Sequence, residues 1–262
     1  MNSTKRIGGI IKPILFGLIF FTGLVGLSQG VVALNASLSP AIPWFPLPAL
    51  LICYVAIRWL NGRQELRLAR PVSGTLHAIT LLLTLAVLCL GVFENWFYEL
   101  TLPSPSFPNA AVSDSFQLVF VFVFPFIAAV LAEIAFRGQI QTALEKVLPL
   151  WPVLVLIAVL NFLMHFYDPE QLRQLVRLLA LNLVWGYMTW YSKSLRPALL
   201  AHVLMNVSTP MLQLWAERFG GGPADFGAFT PVGLTVVAVT GLASVMAGLW
   251  LLKAAEKPAA EA

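Results

Sequence analysis

Long runs of apolar residues dominate this chain of 262 residues, and short polar or proline-containing segments separate them. A helix needs about 20 apolar residues to cross the hydrocarbon core of a bilayer. The runs predict an all-α, polytopic membrane helix bundle of about eight transmembrane helices, at residues 13–34, 42–60, 75–96, 116–138, 150–166, 175–192, 196–215 and 230–252. No soluble domain or internal repeat is evident, so residues 1–262 are interpreted as a single integral membrane domain.

Within the apolar runs, three pairs of polar side chains stand four residues apart. They are Glu133 with Arg137, Asn161 with His165, and His202 with Asn206. A spacing of four places both members of a pair on one face of a helix. Because an ionisable group costs about 2.5–3.5 kcal/mol at the centre of a bilayer on insertion scales, such clusters indicate a functional site.

The composition supports the membrane interpretation and gives it an orientation. Hydrophobic residues make up 59% of the chain and charged residues 11%, and the mean hydropathy is +0.83. Cytoplasmic loops carry the excess of Lys and Arg in membrane proteins, and thirteen basic residues fall on one side of the eight-helix arrangement against three on the other. Both termini are therefore predicted to be cytoplasmic, in a multi-pass protein of the cell membrane.

The net charge of +4 does not indicate a nucleic-acid partner. The basic residues are scattered over short loops, whereas nucleic-acid-binding proteins concentrate them in a patch or stripe. The lipid bilayer is the expected partner instead.

Two of the polar pairs are predicted to meet through a helical hairpin. Residues 138–148 contain good helix formers in an amphipathic pattern, so the fourth helix is expected to continue through them towards the cytoplasmic interface. A turn at Pro149 then separates Glu133 and His165 by 16 residues on either side. Antiparallel helices would bring these two side chains to the same level.

Each pair also has a purely structural explanation. His165 is able to bond Asn161, and His202 with Asn206 is able to form the interhelical hydrogen bonds common in membrane bundles. Glu133 and Arg137 are expected to form an intrahelical ion pair. Such pairing suits an orienting role of the carboxylate better than that of a general base. Taken together, however, the clusters favour a catalytic or metal site.

The same residues resemble the motifs of a known family. AEIAFRG, at residues 132–138, is similar to the EExxxR motif, usually ending in FRG, of the CAAX protease and bacteriocin-processing (CPBP, or Abi) family of intramembrane peptidases. Asn161 to His165 resembles the second motif, FxxxH. His202 and Asn206 match the third, HxxxN, after the stretch SLRPALLAH. The ordered set covers about residues 115–210.

The resemblance implies an intramembrane endopeptidase related to the type II CAAX prenyl proteases. Its substrate would be a peptide or membrane protein, prenylated proteins included, reached from a cavity open to the cytoplasm. By this resemblance His165 helps to activate water, while His202 and Asn206 stabilise the oxyanion, with Glu133 and Arg137 at the same site. A divalent metal such as zinc, with His165 and His202 as ligands, is the cofactor that the family suggests, as in an intramembrane metalloprotease.

Two residues depart from the family motifs and lead to an alternative hypothesis for the function. Ala132 stands where the family has its first glutamate, and Asn161 stands where it has phenylalanine. Glu133 matches the second glutamate, and one step of an α-helix turns a side chain by about 100°. Loss of a general base costs about 10²–10⁴ in rate. Glu94 or Asp168 is a candidate replacement carboxylate.

The alternative is therefore a catalytically inactive family member that acts as a membrane binding or scaffold protein. A small transporter that uses the polar cluster as an ion path is a third hypothesis, although the sequence has no inverted repeat.

Overall fold

A computed structural model describes residues 3–39, 41–61, 66–68, 71–101, 114–164, 174–218 and 230–260. Within these ranges the regular secondary structure is helical and contains no strand, which confirms the all-α prediction. The main helices are α1 (Ser3–Leu38), α2 (Pro46–Asn61), α3 (Gly74–Thr101), α4 (Asp114–Ala132), α5 (Leu150–Leu163), α6 (Leu175–Ser192), α7 (Arg196–Arg218) and α8 (Pro231–Ala260). Each predicted apolar run overlaps one of them.

Four stretches of the described chain are long and apolar enough to cross a membrane. They are Ile7–Leu38, Gly74–Glu94, Leu118–Leu144 and Pro231–Ala255. The helices α2 and α5 are apolar but shorter, with 16 and 14 residues. The helices are those of an integral membrane protein, while eight transmembrane helices with cytoplasmic termini stay a prediction.

Two compact units make up the chain. The first comprises Met1–Ala69, Phe107–Val153 and His202–Leu212; the second comprises Arg70–Ser106, Leu154–Ala201 and Gln213–Ala262. Of the predicted site residues that the structure describes, the first unit contains Glu133, Arg137, His202 and Asn206.

In the first unit, α1 packs antiparallel against the chain that follows α4. The ring of Phe21 contacts that of Phe136, with 5.4 Å between centroids. Further towards the N terminus, Gly17 lies against Ile140, and a Cβ at position 17 would overlap the Ile140 side chain. Glycine is therefore required at this crossing because it is the residue without a Cβ.

A single buried side chain, Asn35, organises the connection between α1 and α2. Its Nδ2 donates to the carbonyl oxygens of Ser39 and Ile42 at 2.9 and 3.0 Å. Its Oδ1 accepts from the backbone N–H groups of Trp44 and Phe45 at 2.7 and 2.8 Å. Four backbone groups that no helix satisfies are thus paired by one amide.

Replacing Asn35 with leucine should lower the free energy of unfolding by about 2 kcal/mol or more, because several hydrogen bonds worth about 0.5–1.5 kcal/mol each are lost together. Equilibrium unfolding in mixed micelles measures the change. The exposed Ser37 nearby bonds only the Leu34 carbonyl among the described residues, and Ser37→Ala serves as the control with little expected effect. An Asn35→Leu variant as stable as the native protein would contradict the prediction.

In the second unit, α3 packs against both α6 and α8. The indole Nε1 of Trp185 donates to the hydroxyl of Thr84 at 2.9 Å, so a polar contact joins α3 and α6 inside an apolar surround. Gly241 of α8 lies against Cys89 of α3, where an added Cβ would approach the cysteine Cβ to 3.0 Å. This close contact is typical of small residues between membrane helices.

Candidate active site

The helix that carries the first motif does not remain an α-helix. Directly after α4 the chain forms a π-helix, Glu133–Gln141, followed by a short α-helical turn, Thr142–Leu144. The helix therefore continues past Arg137 as predicted. A π-helix, with its i→i+5 hydrogen bonds, is rare and is found frequently at functional sites. The hydroxyl of Thr142 donates to the carbonyl oxygen of Arg137 at 3.1 Å near the end of this segment.

The predicted continuation over residues 138–148 is buried at its start, whereas Lys146 near its end is exposed; its place at the cytoplasmic interface stays a prediction. Every residue of Glu133–Gln141 is buried. One of its polar side chains bonds protein: Gln141 Nε2 donates to Glu145 Oε1 at 2.8 Å, and Glu145 pairs with Arg67 at 2.6 Å. The amide of Gln139 is buried without a hydrogen-bond partner among the described residues. Arg67 approaches from the segment after α2 with a left-handed φ of 55°. This ion pair holds the segment that follows the π-helix.

One carboxylate oxygen is the centre of the site. Oε1 of Glu133 lies 3.0 Å from a terminal guanidinium nitrogen of Arg137 and 2.8 Å from Nδ1 of His202. The Glu133 and Arg137 side chains are fully buried, and that of His202 is 13% exposed. The expected ion pair is present, and the π-helical segment additionally contacts the third-motif histidine, which the sequence did not predict.

This contact orients the imidazole of His202. An ionised carboxylate accepts but does not donate hydrogen bonds, so Nδ1 of His202 carries the hydrogen that faces Glu133. Nε2 is then the ring nitrogen that faces away from the carboxylate. The other oxygen of Glu133, Oε2, is buried and has no hydrogen-bond partner among the described residues.

Asn206, one turn after His202, also contacts the helix that carries the first motif. Its Nδ2 donates to the carbonyl oxygen of Pro125 at 3.3 Å. An amide nitrogen carries two N–H groups, so this bond uses one of them. His202 and Asn206 thus fix the face of α7 that lies against α4 and the π-helix.

The position of the family's first glutamate is buried as well. Ala132 is 4% exposed and directly precedes the π-helix. Its methyl group offers neither a proton acceptor nor a metal ligand. The described cluster consequently contains one carboxylate where the family motif has two.

The second motif lies in the second unit. Asn161 is buried, and its Oδ1 accepts from Nδ2 of Asn182 at 3.3 Å. The same nitrogen of Asn182 donates to the carbonyl of Leu178 at 2.7 Å. His165, which Asn161 was expected to bond, lies outside the described residues, as does Asp168. The sequence reading missed Asn182, although an amide inside an otherwise apolar helix was a visible signal.

Glu94, a candidate replacement carboxylate, is bonded by the backbone of α6. Its two carboxylate oxygens accept from the backbone N–H groups of Val176 and Arg177 at 2.8 and 3.1 Å. These are N–H groups of the first turn of α6, which have no partner within the helix. Glu94 therefore caps α6 from α3, with a charge that also suits the positive end of the helix dipole.

The described residues do not complete a metal site. They contain no group of three or more His, Cys, Asp or Glu side chains placed to hold a metal ion, whereas a catalytic zinc typically has three protein ligands. Nε2 of His202 and Oε2 of Glu133 are the donors that the cluster offers. A zinc held by His165 and His202 stays a prediction.

Comparison with known proteins gives one match. Residues 114–208 match the family model of Rce1-like type II CAAX prenyl endopeptidases. The matched segment begins with α4 and includes all three motifs, and therefore Glu133, His165 and His202. No curated protein and no solved structure matches the chain. Residues 114–208 are therefore similar to the Rce1-like type II CAAX prenyl endopeptidase family, in agreement with the resemblance of the three motifs to those of the CPBP peptidases.

Proposed function

We propose that this protein is an intramembrane endopeptidase of the cell membrane. It cleaves a peptide or a membrane-anchored protein, prenylated proteins included, in a cavity open to the cytoplasmic side. The observation that carries the proposal is the buried carboxylate of Glu133, which contacts Arg137 and His202 through one oxygen. Burying charged groups in a membrane protein costs free energy, and such groups usually mark a functional site. The family match indicates that this function is peptide hydrolysis.

Peptide hydrolysis requires donors for the oxyanion that forms when water attacks the carbonyl carbon. His202, with Nδ1 held by Glu133, directs Nε2 to that oxygen, and in the protonated ring Nε2 donates. The second N–H of Asn206 is the other donor. The carboxylate of Glu133 balances the charge of the protonated imidazole, and it also contacts Arg137. His165 helps to activate the water.

A catalytically inactive relative that binds membrane proteins or peptides is the second candidate. The observation that favours it is Ala132, because a buried methyl group replaces the carboxylate that takes the proton from water in the family. In this case the cluster around Glu133 shapes a binding cavity and performs no hydrolysis.

Cleavage of a reporter peptide library by the purified protein tests the proposal. His202→Ala and Asn206→Ala should each lower kcat about 10²–10³-fold, the effect of removing one oxyanion donor. His77→Ala is the matched control, since His77 at the start of α3 bonds the carbonyl of Ser73 directly before that helix; this variant should cleave at the native rate. Cleavage by His202→Ala at the native rate would refute the proposal.

A folded native protein that binds peptides without cleaving them would establish the second candidate. Metal content measured on the same samples tests the proposed zinc. A protonated Nε2 donates a hydrogen bond and cannot bind zinc, so the oxyanion role of His202 predicts equal metal content in the two proteins. About one zinc per native chain, lost in His202→Ala, would instead assign His202 as a metal ligand.

A further inference from the structure

Two neighbouring cavities lie between α1 and α2, and we name them together the α1–α2 groove. It consists of two cavities of about 450 and 470 Å³ that share Trp59 as a wall. Each cavity falls within the range of about 300–1,000 Å³ typical of ligand sites. The ring of Phe16 stacks on that of Trp59 with 6.3 Å between centroids, so an aromatic wall joins the two halves.

The two ends of the groove differ in polarity. The first cavity is lined by the exposed cation Lys12, together with Gly8, Gly9 and Pro13. Proline has no backbone N–H, so the carbonyl of Gly9, four residues earlier, lacks its usual partner within α1. This end therefore presents a positive charge and a backbone carbonyl without its helical hydrogen bond.

The other end is entirely apolar. The second cavity is lined on α1 by Phe20, Leu24 and Leu27, and on α2 by residues that include Leu51 and Val55. Of these, Leu27, Leu51 and Val55 are more than half exposed within the described chain. A hydrocarbon chain is the ligand that this end suits.

The length of the groove identifies the kind of amphiphile. Lys12 and Leu27 are 15 residues apart on one helix, or about 22 Å at 1.5 Å per residue. Half of a bilayer that includes its headgroups measures about 20–22 Å. The groove thus extends from a cation at headgroup level to apolar walls near the level of the chain ends, as one phospholipid does.

We propose that the α1–α2 groove binds one anionic phospholipid, with its phosphate at Lys12 and an acyl chain along Phe20, Leu24 and Leu27. The site does not depend on peptide cleavage. Its occupant also contacts Ala143, which lines the first cavity two residues after the π-helix. A bound lipid would therefore support the segment that carries Glu133 and Arg137.

Quenching of Trp59 fluorescence by brominated lipids tests this site in the full-length protein. The fluorescence of Trp59 is obtained by subtracting the emission of Trp59→Phe from that of the native protein, both in bilayers of unbrominated phosphatidylcholine. Brominated phosphatidylglycerol should half-saturate this quenching at about a fivefold lower mole fraction than brominated phosphatidylcholine, the effect expected for one lysine at the surface.

Two pairs of variants, each measured in native and Trp59→Phe backgrounds, separate a site from ordinary contact with the bilayer. Lys12→Gln should abolish the anionic preference, whereas Lys253→Gln, at an exposed lysine of α8, should retain it. Val55→Phe narrows the apolar end and should raise the half-saturating fraction, while Val236→Phe, on the exposed face of α8, should not. Equal quenching by the two lipids in the native protein, or a preference that survives Lys12→Gln, would overturn the proposal.

Discussion

Replacing Arg137 with methionine should lower the free energy of unfolding by about 3–5 kcal/mol, the usual effect of leaving a buried charge without its partner. Arg137 and Glu133 have no exposed side-chain surface, so water cannot solvate the carboxylate that remains. His202 contacts the same oxygen, but a histidine compensates the charge only when it is protonated. The variant therefore keeps the volume of the core and loses its charge balance.

A double-mutant cycle separates this charge effect from packing. Adding Glu133→Gln to Arg137→Met removes the buried charge and should restore most of the lost stability. Arg58→Met, at an exposed arginine of α2, is the control and should change stability by no more than about 0.5 kcal/mol. If the double variant is no more stable than Arg137→Met, the large effect does not come from an uncompensated carboxylate.

Restoring the family's first glutamate with Ala132→Glu should raise the rate of peptide cleavage by about 10²–10⁴, the range attributed to a positioned general base. Position 132 directly precedes Glu133 and is buried beside the π-helix. A second carboxylate there would share the positive charge of Arg137 with Glu133. We therefore expect the gain in rate to be accompanied by a loss of stability.

The matched control is Ala132→Gln, which has nearly the same shape as the glutamate variant but no proton acceptor of comparable basicity. It should leave the rate near that of the native protein. Equal acceleration by both variants would attribute the effect to shape. If neither changes the rate while His202→Ala lowers it, the native protein performs catalysis without a carboxylate at position 132.

The helical fold could be predicted because its signal is local. Long apolar runs must form helices in a bilayer, where no water satisfies the backbone, and proline or glycine marks many of their ends. The turn before α5 at Pro149 was located in this way. The π-helix was not, because an i→i+5 ladder uses the same apolar residues as an α-helix and differs only in how the backbone bonds.

The sequence predicted which residues form the candidate site better than it predicted their contacts. Spacing of four residues identified the ion pair of Glu133 with Arg137. The contact with His202 joins residues 69 positions apart, and it depends on the packing of α7 against the π-helix. Asn35 and Glu94 were missed as structural residues because they bond backbone groups, which are the same at every position of a sequence.

The π-helix makes the length of its segment as important as the identity of its residues. A wider turn accommodates an additional residue without displacing the helix on either side. Deletion of one residue between Glu133 and Ile140 would therefore return the backbone to the α-helical ladder and leave both ends in register, whereas insertion of a further residue would rotate one end relative to the other by about 100°. After such an insertion, either Glu133 would turn away from His202 or Ile140 would lose its contact with Gly17. Relatives that preserve both contacts should therefore tolerate a deletion in this segment more readily than an insertion.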